Sequence, residues 1–180
     1  FLVTIVLWVS LSTHAWATIG EVTEYKGSSI IDRAGDEIQT DEGLAIEPLD
    51  TAITAAGRLR IDFIDDTRVD ITEHSRLVID EFVYDPANGV GKLSLKASLG
   101  TVRYASGQIA KKYKQNVKIR TPSATIGVRG TDFVMLVDEI GNSMITLLPS
   151  CDTSGNCFVG EITVDSDVGQ VVLNQAFQAT

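Results

Sequence analysis

Lys118-Ile-Arg-Thr-Pro-Ser-Ala-Thr-Ile-Gly-Val-Arg-Gly-Thr-Asp-Phe-Val-Met-Leu-Val137 carries the clearest structural signal in this chain. Two strand-like runs, Val117–Arg120 and Phe133–Val137, flank a stretch dense in turn chemistry. Pro122 fixes its own φ and drives Thr121 towards an extended backbone. Gly127 and Gly130 are free to take positive φ, which tight corners often demand. Arg129 and Asp132 lie close together across Gly130, a spacing that lets them pair and lock the corner. These features predict a rigid, buried corner in a β-rich domain.

Outward from the corner, short apolar runs recur with turn residues between them. Upstream the candidate strands are Gly20–Tyr25, Ser28–Arg33, Arg58–Ile64, Arg68–Thr72, Leu77–Val83, Gly91–Ala97 and Thr101–Ser106. From the corner onward they are Val117–Arg120, Thr125–Val128, Asp132–Asp138, Ser143–Leu148, Cys157–Val164 and Gln170–Asn174. A spacing of about ten residues predicts an all-β sandwich, barrel or β-solenoid. Leu59, Ile61 and Phe63 share one face, with Arg58, Arg60 and Asp62 on the other. Val69 and Ile71 resume that pattern after Asp65-Asp66, which predicts a hairpin. Two stretches depart from it. Asp50–Ala56 is a candidate helical turn, and Gln108–Asn116 reads as a short helix or an exposed excursion. With no linker and no internal repeat, the chain is read as one domain.

The corner's wording, T-P-x-A-T-I-G-V-R-G-T-D-F, closely resembles the hallmark of the FecR domain family. Gly35–Thr40 resembles that family's G-D-x-I-x-T. Leu59–Thr67 resembles its apolar strand and F-x-D-G-T turn, with Asp66 where Gly is commoner. Gly169–Asn174 resembles its closing strand, so the resemblance runs roughly from Ile19 to Thr180. It implies an extracytoplasmic all-β module of β-solenoid-like arrangement over residues 18–180, where the strand pattern alone leaves a β-sandwich equally open. It also implies a structural role for Arg120, Thr121, Pro122, Gly127, Arg129, Gly130, Thr131, Asp132 and Phe133. The founding type of the family relays iron-siderophore occupancy of an outer-membrane transporter to a sigma factor.

The first eleven residues hold nine apolar residues and no charge, and Ala15-Trp16-Ala17 follows shortly after. An apolar core before an A-x-A pattern predicts a secretory signal over residues 1–17, truncated at its start because it lacks Met and a basic region. The competing reading is the outer end of a truncated membrane anchor. Eleven residues fall short of the ~20 that a spanning helix needs, so the mature form is expected not to span a membrane. Cys151 and Cys157 bracket a turn-forming pentapeptide. In an exported chain that arrangement predicts one disulfide across a hairpin loop.

The net charge of −9 argues against nucleic acid as a partner. Its distribution is uneven. No Asp or Glu occurs from Pro86 through Thr131, where Lys92, Lys96, Arg103, Lys111, Lys112, Lys114, Lys118, Arg120 and Arg129 stand. Upstream, Asp62 to Asp85 holds eight carboxylates against two arginines. One expectation is mutual neutralisation across neighbouring strands. The other is a partner surface at Lys111, Lys112, Lys114 and Lys118 for a periplasmic or envelope protein or an anionic glycan.

Catalytic chemistry finds little support. After removal of a leader only His74 remains, in a turn, with no nucleophile-elbow pattern to serve. Asp62, Asp65, Asp66 and Asp70 flank one hairpin and raise calcium or glycan chemistry, yet the spacing differs from the EF-hand loop. The expectation is a non-enzymatic, cofactor-free, exported interaction or scaffold module of the periplasm or cell surface. The alternatives are the periplasmic sensor part of a membrane-anchored sigma-factor regulator and a calcium- or glycan-binding surface protein.

Overall fold

The computed structural model describes residues 17–152 and 154–180, so the expected leader lies almost wholly outside the described residues. In chain order the elements are β1 (Gly20–Arg33), β2 (Asp36–Gln39), β3 (Ala45–Ile46), β4 (Thr51–Phe63), β5 (Arg68–Ile71), β6 (Arg76–Asp85) and β7 (Val90–Ala105). A short helix α1 (Gln108–Lys112) leads to β8 (Val117–Arg120), β9 (Ala124–Arg129), β10 (Asp132–Val137) and β11 (Ser143–Leu148). The chain closes with β12 (Ser150–Cys151), β13 (Cys157–Phe158), β14 (Glu161–Ser166) and β15 (Gly169–Leu173). Among the described residues the protein is all-β apart from one helix.

Three strands are too long for one layer and change partners midway. The second half of β1, the start of β4 and the first part of β7 build a leaf ordered β2-β1-β4-β6-β7-β8-β9-β14-β15. The other portions of the same strands build a second leaf, β3-β1-β4-β5-β7-β10-β11. Strands that pass between layers through bends make the corners of such packings. Glycine marks the fold line. Gly27 stands opposite Gly57, whose Cβ would lie 2.5 Å from the Lys26 carbonyl oxygen, and Gly100 turns at φ +85° against Ser75.

Apolar alternation fills the space between the leaves with one continuous core. Phe63 of one leaf stacks on Phe82 of the other at 5.3 Å between ring centroids. Ile31, Leu77, Ile79, Leu93 and Leu95 meet Ile61, Tyr104 and Phe133 in the same core, all fully buried. Burial of each such side chain contributes about 1.5–3 kcal/mol.

The strand pattern survives with two fusions: the paired candidates at 20–33 and 91–106 are the continuous strands β1 and β7. The predicted β4–β5 hairpin and the short helix at 108 both form. The candidate helical turn at Asp50–Ala56, a stretch too short to decide from sequence, does not form. Those residues begin β4, because β1 and β6 pair with them and bury Ala52 and Thr54. Among the described residues only β7–β8 is a parallel ladder, which matches the sandwich alternative rather than the coils of a solenoid. No helix among the described residues is long and apolar enough to cross a membrane.

Candidate functional site

The hallmark turn between β9 and β10 is a hydrogen-bond junction. Gly130 takes φ +65° and turns the chain so that Thr131 and Asp132 point inward. The Thr131 hydroxyl donates to the Leu148 carbonyl at 3.2 Å and accepts from the Gly160 amide at 3.3 Å. Asp132 accepts from the Ser150 hydroxyl at 2.6 Å and from the Ser106 amide at 3.3 Å. Ser106 returns its own hydroxyl to the Thr131 carbonyl at 2.6 Å. Phe133 then enters the core beside Tyr104, with 5.2 Å between ring centroids. One turn thus ties together the ends of β7 and β11 and the entry to β14.

The β4–β5 hairpin supplies a second fixing point on the other side of Ser106. Asp65 is fully buried and accepts from the Thr67 amide at 3.1 Å, the Thr67 hydroxyl at 2.9 Å and the Ile109 amide at 3.0 Å. Its carbonyl oxygen takes the Gln108 amide at 2.6 Å. Asp65 is therefore a remote cap for α1, satisfying amides that a helix start leaves free. Gly107 is pressed against the Asp65 carbonyl and the Thr67 amide so closely that any Cβ would collide. Tyr104 lies beneath, wholly buried, and burial pushes its phenol well above the ordinary range. Its hydroxyl comes near those of Thr67 and Ser106, yet it makes no well-formed hydrogen bond among the described residues.

Held at both sides, α1 and the strand after it present the lysines. Lys111, Lys112, Lys114 and Lys118 are all exposed, and none makes an ion pair among the described residues. Other members of the basic block are neutralised. Lys92 pairs with Glu81, Arg120 with Asp80 and Arg129 with Glu161, while Arg103 stands 3.6 Å from Asp132. Cross-strand neutralisation and free exposure therefore both occur, each for different residues. Lys111 also borders a polar groove of about 440 Å³ lined by Arg60, Arg68, Arg103, Asp66, Asp70 and Asp132. The β12–β13 hairpin rims this groove with Asp152 and the half-exposed Phe158.

The structure brings the corner residues together less completely than the sequence suggests. Arg129 does not pair with Asp132; it reaches across to Glu161 on β14, because alternation turns it to the outer face while Asp132 points inward. Gly127 keeps a negative φ, and its role is close approach: a Cβ there would meet the Thr163 hydroxyl at 2.7 Å. Arg120, Pro122 and Arg129 are exposed, so the buried corner residues are Thr121, Ile126, Val128 and Thr131–Phe133. Thr121 closes the β8–β9 turn. Its amide donates to the Ala124 carbonyl, and its hydroxyl accepts from the Ala124 amide at 3.1 Å and the Ser143 hydroxyl at 2.7 Å. Ser106, Gly107 and Ser150 escape sequence reasoning, since their partners lie far away along the chain.

The acidic hairpin disperses rather than converging. Asp62 binds Arg68, Asp70 binds Arg60, Asp65 serves α1, and Asp66 accepts from the Gln108 side chain at 3.2 Å. Among the described residues no three His, Cys, Asp or Glu side chains are grouped to hold a metal ion. His74 sits in an exposed turn at φ +52°, its amide bonded to the Ala55 carbonyl. Cys151 and Cys157 form the predicted disulfide, paired across β12 and β13.

Comparison with known proteins completes the picture. No curated protein matches this chain. A solved structure described as "a putative anti-sigma factor from Parabacteroides distasonis" is similar at 14% identity with a TM-score of 0.49, covering 68% of this chain and 49% of that one. The chain thus spans about half the length of that protein, a likeness too slight to carry an argument. The family described as FecR protein matches residues 50–148, from the start of β4 to the end of β11. That span includes Asp65, Asp132, α1 and the hallmark turn, and covers more than half of the sequence: the chain belongs to the FecR protein family.

Proposed function

We propose that this chain is an exported, non-enzymatic FecR domain that acts by contact, as an interaction or scaffold module of the periplasm or cell surface. The observation that carries the reading is a division of labour among its residues. Asp65, Thr67, Thr131 and Asp132 are spent on internal hydrogen bonds, whereas Lys111, Lys112, Lys114 and Lys118 stand exposed on the segment those bonds hold. A fixed cationic surface on a chain of net charge −9 suits an acidic protein or an anionic envelope glycan. The Cys151–Cys157 disulfide supports an oxidising compartment, as does the apolar N-terminal run ending at Ala15-Trp16-Ala17.

The test changes all four lysines to Gln. Exposed positions rarely contribute beyond about 0.5 kcal/mol, so the melting temperature stays near that of the parent. Retention on an anionic resin or on envelope extract falls, and the difference disappears as salt rises. A clear loss of stability with unaltered retention overturns the reading.

Family membership supports a second reading, the periplasmic sensor part of a membrane-anchored sigma-factor regulator. The same lysines would then meet a component of that relay. The encoded sequence upstream of Phe1 separates the two readings: a basic leader start favours the first, and a cytoplasmic helical domain favours the second.

A further inference from the structure

β15 is the last strand of its leaf and pairs on one side only, with β14. Open strand edges invite pairing with another chain, and proteins normally blunt them with charge, brevity or a cover. The other described edges follow that rule. β2 carries Asp36 and Glu37 on four residues, and β3 is two residues long. The open side of β11 is covered by the C-terminal segment, where Ile145 and Leu147 bond to Phe177, Gln178 and Thr180. β15 has none of these defences. Gly169-Gln-Val-Val-Leu173 holds no charge and no proline, its ladder with β14 has no bulge, and Gly169 to Val172 are exposed.

The core also runs out at this strand. Val171 and Leu173 lie opposite Val164 and Ile162, on the buried face of the leaf. Leu173 is fully buried, yet Val171 is 43% exposed, and Val172 on the other face is 41% exposed. A ligand lying on one face would leave the second valine and the backbone edge in water. An added strand meets all three at once.

We propose that β15 pairs antiparallel with β15 of a second copy of this chain, across a two-fold axis at Val171. The hairpin closes on Ser166 and Gly169 around a two-residue turn. Counting from that pair, ladder alternation turns the backbone N–H and C=O of Gln170 and Val172 to the open side. Gln170 then bonds to Val172 of the partner subunit, and Val172 to the partner subunit's Gln170. Val171 faces the partner's Val171 as a non-bonded pair about 4.5 Å apart at Cα. The absence of charge from 169–173 is what admits a second copy, since no like charges are brought together. The net charge of −9 on each chain opposes association, so added salt strengthens it. One strand pair buries far less than the ~1,600 Å² of a standard interface, which makes the dimer weak and concentration-dependent.

Two single substitutions in the full chain, Val171→Cys and Val172→Cys, test both the contact and its register under mild oxidation. Two Val171 positions across the axis are within reach of a disulfide, whereas two Val172 positions stand about 8 Å apart. Dimer linkage through the Val171→Cys thiol is expected at least about tenfold faster than through Val172→Cys. Sedimentation equilibrium of the unaltered chain should show a dimer fraction that rises with concentration and with salt. Val171→Lys should lower that fraction about tenfold while the chain stays folded. A chain that stays monomeric up to ~1 mM, the weak end of measurable association, overturns the proposal. Equal linkage at both positions does so too. Linkage of the Val171→Cys thiol to a different protein in envelope extract replaces the second copy by a foreign strand and likewise overturns it.

Discussion

The carboxylate of Asp65 accepts the Ile109 amide at 3.0 Å across 44 positions of sequence, joining the tip of one hairpin to the start of the only helix described. Asp65→Ala removes the acceptor of three donors, the amides of Thr67 and Ile109 and the Thr67 hydroxyl. Stranding them in a buried site costs about 2–4 kcal/mol, which lowers the melting temperature by about 5–15 °C at this size. Amide exchange at Ile109 should accelerate at the same time. A variant that melts like the parent with Ile109 still protected would show that α1 does not depend on this bond.

The hallmark glycine and the neighbouring hairpin make opposite predictions about left-handed backbone. Gly130 sits at φ +65° with open space where a Cβ would stand, the nearest atom being the Ala110 carbonyl oxygen at 3.8 Å. Gly130→Val therefore acts through backbone strain, at about 1–2 kcal/mol, and Gly130→Asn costs much less. Asp66 occupies φ +65° in the β4–β5 turn, a backbone conformation that glycine adopts without strain. Asp66→Gly should be neutral or raise stability by up to about 1 kcal/mol. Chemical denaturation of the three variants gives the order directly.

Much of this architecture was legible from alternation alone. Val117–Arg120 matches its predicted bounds because apolar residues stand at every second position, and Ser143–Leu148 matches as a short apolar run interrupted by Thr146. The layer changes of β1, β4 and β7 were not legible, because a bend leaves the period of two intact and shows only as scattered glycines. The candidate site divides in the same way. The lysines are visible as charge in a carboxylate-free stretch. Their fixing is not, because Asp65, Ser106 and Ser150 acquire roles only through partners that the fold brings near. Arg129 misled for a related reason: proximity in sequence across a turn placed it beside Asp132, and strand alternation put them on opposite faces.

Asp152 in the disulfide loop is held below the ordinary carboxylate range, chiefly by the amide and then the side chain of Asn156. A carboxylate with a depressed folded-state pKa stabilises above its unfolded value, and that contribution is lost as pH falls through the folded one. Carboxyl NMR titration should place Asp152 below an ordinary exposed aspartate, and Asn156→Ala should raise it only in part, because the backbone amide remains. An Asp152 that titrates normally in the parent would contradict this arrangement.

Reduction and alkylation of Cys151 and Cys157 open a loop closed over a sequence separation of 6. The chain-entropy relation gives about 2 kcal/mol for so short a loop. Intact mass before and after reduction checks the bond in periplasmically produced protein. Two free thiols there would remove the support for export as well.

Position, rather than total charge, gives the lysine surface its proposed role, and a pair of charge-matched variants measures that directly. One variant changes Lys111, Lys112, Lys114 and Lys118 to Gln. The other changes Lys26, Arg58, Arg76 and Lys96, four exposed cations outside α1 and β8, to Gln. Both lose the same positive charge, and both stay folded because exposed charges contribute little. Salt-dependent retention on envelope extract should collapse for the first variant and persist for the second. Equal loss in both would reduce the surface to net charge, and retention undiminished in the first would contradict a lysine contact surface outright.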